Sequence, residues 1–283
     1  MKIDKRTILS LGLVGLILVV ITLFIFNGKK KFSLTKPIDL LNISRRAMNE
    51  ANYDEALDFL LKFYDLSFCQ DSYTYIGVRS SFAMEIWKEL NSYYPPALEK
   101  MKDIRNFKEE KLRSYNMSDI AFDPVVIAER NPTNSKDLTN RLIGEAMFRD
   151  VVSLNQALHS EERTIELFEF LQKKYPQLAS ACWRAARNTI MEAERYDLAS
   201  EQIPDIQMEY QRLKKRYITT SISSKELAQR RFIKSIKEIL AMACFLNQYE
   251  IAERIAADAD KVNSSTIFER FFLNLLASKS DEK

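Results

Sequence analysis

Apolar residues recur along most of this chain at three- and four-residue intervals. Tyr53, Ala56, Leu57, Leu60, Leu61 and Tyr64 form one stripe, and Phe82, Ile86, Trp87, Leu90 and Tyr94 a second. Ile143, Met147, Val151, Leu154 and Leu158 make a third, and Phe232, Ile236, Ile239, Leu240 and Ala243 a fourth. That spacing is the signature of helices with one buried face. The pattern predicts helices over 37–50, 53–66, 76–93, 96–113, 135–158, 161–174, 177–194, 196–216, 224–247, 249–261 and 265–277. Pro37, Pro96 and Pro176 fall in first turns, where proline is tolerated. Ser160, ahead of Glu161 and Glu162, reads as an N-cap with acids beside the positive end of the helix dipole. Ser223 and Glu226 have capping-box spacing. Pro204 should break or kink the 196–216 helix. The stretch 114–134, with Pro124 and Pro132, is the least regular, and YITTSIS at 217–223 reads as a loop.

The N-terminus departs from this pattern. Ile8 to Phe26 is an uncharged run of 19 residues, about 28 Å as a helix, enough to span a bilayer core. A cleaved signal peptide is the rival reading, but its apolar region would be too long, and Asn27-Gly28-Lys29-Lys30-Lys31 follows in place of a small-x-small site. The organisation expected is a basic tail at 1–7, a transmembrane helix at 8–26, a basic linker at 27–36 and a helical domain at 37–283. Basic residues are more numerous after the span (Lys29, Lys30, Lys31, Lys36, Arg45, Arg46) than before it (Lys2, Lys5, Arg6). This leans toward a cytoplasmic domain.

Three segments repeat a local pattern: Asn52-Tyr53-Asp54-Glu55-Ala56-Leu57, Arg195-Tyr196-Asp197-Leu198-Ala199 and Gln248-Tyr249-Glu250-Ile251-Ala252. In each, Tyr-x-x-Ala opens a helix directly after another, the tyrosine filling the angle between two antiparallel helices and the alanine letting their backbones approach. Such pairs stack because none buries its apolar face alone. The pattern resembles the tetratricopeptide repeat. Ala259 of the third copy matches the family's later alanine, whereas Phe63 and Ile206 stand at that offset in the first two, and the copies are irregularly spaced. The resemblance implies an all-α superhelix of stacked antiparallel helix pairs and leaves the ligand open. IGVRSSFAMEIWKELNSYYPPALEKMKDIR and FRDVVSLNQALHSEERTIELFEFL also resemble bacterial helical-repeat proteins, which implies a bacterial origin, and with the apolar span a bacterial inner membrane, and offers no activity to carry over.

Only Gly77 and Gly144 occur beyond Gly28, which speaks against hairpin turns and phosphate-binding loops. Cys69, Cys182 and Cys244 are too scattered for a disulfide framework and read as small core residues, consistent with a reducing compartment. The lone histidine, His159, cannot build a histidine-rich metal site, and no GxSxG elbow accompanies it. Glu161, Glu162, Glu166 and Glu169 share a solvated helical face. No cofactor site and no catalytic constellation is legible.

Arg79, Arg149 and Asp150 interrupt apolar stripes. They read either as an ion pair between helices or as a polar patch that binds a partner. Charge is also uneven. Arg212 to Glu238 holds nine basic residues against two acids, and Asp150 to Glu209 eleven acids against six basic residues. The basic stretch is either a solvated face or a surface for anionic lipid or an acidic partner. A net charge of +3 and sparse aromatic interleaving argue against nucleic acid. The expectation is a membrane-anchored interaction module without catalysis, binding a protein or peptide. An accessory subunit or enzyme with a hidden site, and a protective, immunity-type membrane protein, are the alternatives.

Overall fold

The computed structural model describes residues 36–69, 72–120, 135–221 and 224–280. Among these residues the chain is all-α, in thirteen helices: α1 (Pro37–Asn49), α2 (Tyr53–Cys69), α3 (Ser72–Ser80), α4 (Phe82–Tyr93), α5 (Pro95–Ser114), α6 (Lys136–Ala157), α7 (Glu161–Lys174), α8 (Pro176–Glu192), α9 (Tyr196–Gln202), α10 (Ile206–Ile218), α11 (Lys225–Phe245), α12 (Tyr249–Asn263) and α13 (Ile267–Ser280). The predicted membrane span at 8–26, the cap Ser223 and most of the irregular stretch 114–134 lie outside the described residues. Among the described residues no helix is long and apolar enough to cross a membrane.

The chain forms two compact units that meet within α2, the first ending at Ser67 and the second beginning at Phe68. In the first, the buried Ser44 hydroxyl of α1 donates to the Ala56 carbonyl of α2 at 2.8 Å. Ala56, Leu60 and Phe63 are fully buried. In the second, most helices pack chiefly on a neighbour or next neighbour in sequence (α7 and α6 on α8, α5 on α6, α11 on α12, α12 on α13), while α3 packs chiefly on α6. That is how stacked helical units share one continuous core. Cys182 and Cys244 are buried within it and Cys69 only partly buried. Gly144 explains how closely α6 and α8 approach: a Cβ there would stand 2.9 Å from Leu178 Cδ1.

One turn recurs. Ala51, His159, Glu194, Asn247 and Ser264 all have φ between 50° and 59°. In each case the next residue's amide donates to a carbonyl five positions back, such as Asn52 to Ala47 (2.8 Å), Arg195 to Ile190 (3.0 Å) and Gln248 to Ala243 (2.8 Å). This is a Schellman-type helix end built without glycine. It explains how a Gly-poor chain joins helices directly. The three Tyr-x-x-Ala segments each follow such a turn, and Ala56, Ala199 and Ala252 are all fully buried. The tyrosines sit shallower than the sequence suggests: Tyr249 is 36% exposed.

One boundary differs from expectation, and the break expected at Pro204 is complete. The predicted 76–93 helix divides at Ser81 (φ −125°, ψ −87°). The Ser80 and Ser81 hydroxyls donate to the Gly77 carbonyl at 3.2 and 2.6 Å, competing with the backbone ladder. At Pro204 the chain breaks fully. Ile203 is forced out of helical geometry and Asp205 caps α10 by accepting from the Met208 amide at 2.8 Å. Ser160 occupies the N-cap of α7, yet its hydroxyl donates to the Leu158 carbonyl and makes no cap bond.

Candidate functional site

The three polar residues singled out by sequence do not form one patch. Arg79 lies in the last turn of α3, because the break at Ser81 ends that helix, and its guanidinium favours the negative helix end. Its Nε donates to Asp150 Oδ1 at 3.0 Å, and Lys108 Nζ of α5 donates to Asp150 Oδ2 at 2.7 Å. Phe68 covers both cations, 5.2 Å from the Arg79 guanidinium and 4.2 Å from Lys108 Nζ. Arg79 is fully buried and Asp150 is 2% exposed, so no face of the pair reaches solvent. Burial alone would push the Asp150 carboxyl up; Lys108 and Arg79 together outweigh it and hold it below the usual carboxylate range. Arg149 points elsewhere, to Glu145 one turn back at 2.6 Å. The sequence reading missed Lys108, which a run of charged residues in α5 conceals.

A second concentration of charge opens to solvent. Helices α8, α10 and α11 enclose a cavity of about 620 Å³. Beside it, α8, the α9–α10 break and α10 line another of about 740 Å³. Arg187, Arg212 and Arg216 line both, so the two form one groove. Arg184 adds a cation on one side, and Arg231 and Lys234 on the other. Asp205, Glu209 and Glu238 are the acids that face these six cations. The breaks on either side of α10 make this possible, since Pro204 and the turn at 219–221 set α10 as a short rod between α8 and α11.

The groove's charges divide into two sets. Arg212 grips Glu209 through two bonds of 2.6 Å. Arg187 lies between Glu209 (3.3 Å) and Glu238 (3.5 Å) and is 16% exposed. Lys234 bonds Glu192 at 2.6 Å. Burial pushes the Glu238 carboxyl up more strongly than Arg187 and Lys234 draw it down. Arg184, Arg216 and Arg231, all exposed, form no ion pair among the described residues. Exposed Met208 and Leu227 stand beside them, 65% and 53% exposed. The uneven charge from Arg212 to Glu238 signalled part of this groove. Arg184 and Arg187 were hidden in a stretch that is acidic on average. Other members of the basic stretch serve structure: Lys214 bonds Asp258 at 2.7 Å, and Lys225 lies over the Tyr217 ring.

His159 stands in the turn between α6 and α7 in left-handed conformation. Among the described residues no cluster of three or more His, Cys, Asp or Glu side chains is placed to hold a metal ion. No protein-family model, curated protein or solved structure matches the chain.

Proposed function

We propose that this protein is a membrane-anchored, tetratricopeptide-like interaction module that binds a protein or peptide partner through the groove of α8, α10 and α11. The carrying observation is that this groove gathers cations from three helices and leaves three of them exposed without a carboxylate. Elsewhere in the second unit several cations are held in pairs, as in Arg163 with Glu109 and Lys214 with Asp258. A concave, solvent-filled surface between stacked helices is where repeat proteins receive extended ligands. The apolar run 8–26 supplies the tether to the bilayer, in a bacterial inner membrane with the helical domain on the cytoplasmic side.

A photo-crosslinking amino acid at Met208 in the full-length protein tests the reading in intact cells. A discrete adduct at Met208, absent with the same probe at exposed Phe107 on α5, is expected. Equal labelling at the two positions, or none at Met208, would contradict it.

A further inference from the structure

We infer that the groove takes an acidic peptide segment with interspersed apolar side chains, its carboxylates paired with Arg184, Arg216 and Arg231 and its apolar groups resting on Met208 and Leu227. This rests on the interaction-module reading and names the partner's chemistry. The groove already displays the contact it would make: Arg212 holds Glu209 through two parallel bonds of 2.6 Å, the fork geometry in which guanidinium recognises carboxylate. Arg216 is one helical turn from Arg212 on α10, Arg184 is three residues from Arg187 on α8, and Arg231 stands on α11. The free cations therefore ring the groove from three helices, which suits an extended chain bearing several acids.

Two other anionic surfaces fit less well. A bilayer presents a broad face, whereas Arg187, which lines both cavities, is only 16% exposed. Single-stranded nucleic acid binds by stacking bases on open aromatic faces. Here Tyr217 and Phe232 stack on each other, centroids 4.5 Å apart, and are 8% and 3% exposed. Met208 and Leu227 have a use against a peptide's aliphatic side chains and none against phosphate.

The test is fluorescence anisotropy of the full chain in detergent micelles with a labelled Glu-Glu-Leu repeat peptide. A Lys-Lys-Leu repeat, phosphatidylglycerol vesicles and a single-stranded oligonucleotide serve as competitors. The acidic peptide should bind, weaken as salt rises, and lose about tenfold or more in affinity in the Arg184→Ala/Arg216→Ala/Arg231→Ala variant. These side chains are exposed, so an unchanged circular dichroism melt should show that the variant folds. Equal binding of acidic and basic peptides, or wild-type affinity in the triple variant, overturns the proposal, as does stronger competition by vesicles or oligonucleotide than by unlabelled acidic peptide. A cellular adduct at Met208 that survives the triple substitution would retain the interaction-module reading and remove the acidic one.

Discussion

Replacing Asp150 with alanine would remove the carboxylate that Arg79 and Lys108 share, and the cost follows from the geometry. The carboxylate accepts from Arg79 Nε at 3.0 Å and from Lys108 Nζ at 2.7 Å, and the side chains of Arg79 and Asp150 are 0% and 2% exposed. Removing one member of such a buried set costs about 3–5 kcal/mol, most of it the desolvated charge left behind. For a unit of this length that is a fall in Tm of roughly 6–20 °C. Urea unfolding of the full chain in micelles, followed by the helical circular dichroism signal, measures it. The triple replacement Arg79→Met/Lys108→Met/Asp150→Leu removes the charges together and should recover most of the loss. A penalty under about 1 kcal/mol for the single variant, or a triple variant no better than the single one, would refute the reasoning. Because the folded carboxyl titrates below its unfolded value, the pairing contributes fully above the ordinary aspartate range near pH 4. That contribution is lost as pH falls through the lower folded value. Asp150→Ala should therefore flatten the acid limb of the stability profile.

Other substitutions separate close packing from open space. Gly77→Ala on α3, where an added methyl meets nothing within 4 Å, should stabilise by about 0.5–1 kcal/mol in the same unfolding assay. Gly144→Val, driven into Leu178, should cost about 1–3 kcal/mol. Asp260 accepts from the Phe268 and Glu269 amides at 3.1 and 2.9 Å and so caps α13 from the end of α12; Asp260→Ala should lower stability by about 2 kcal/mol and raise amide exchange across α13. Glu194, at φ 55°, should accept glycine with a gain of about 0.5 kcal/mol in urea unfolding, whereas valine should destabilise.

Helix positions were legible because a 3.6-residue stripe and a proline at N1 are local signals. Pro37 and Pro176 open α1 and α8 as expected. The split at Ser81 was not, because it depends on two serine hydroxyls turning back onto the Gly77 carbonyl in competition with the ladder. Asp260 was invisible for a related reason: its cap acts across a turn on another helix, and no short-range spacing records that. The buried set around Asp150 was half legible. Polar residues in an apolar stripe marked Arg79 and Asp150, but Lys108 sits in a helix charged throughout, and its burial comes from packing of α5 on α6. The groove shows the same limit. Net charge along a window found Arg212, Arg216 and Arg231, and averaged Arg184 and Arg187 away among the acids that neighbour them in sequence but not in space.

The measurement that bears most directly on the account is the cellular crosslink at Met208, made beside the Arg184→Ala/Arg216→Ala/Arg231→Ala variant. The account predicts one discrete adduct at Met208 that the triple substitution abolishes, and none from Phe107. Adducts of equal yield at Met208 and Phe107, or no adduct at Met208 in the unsubstituted groove, would contradict it.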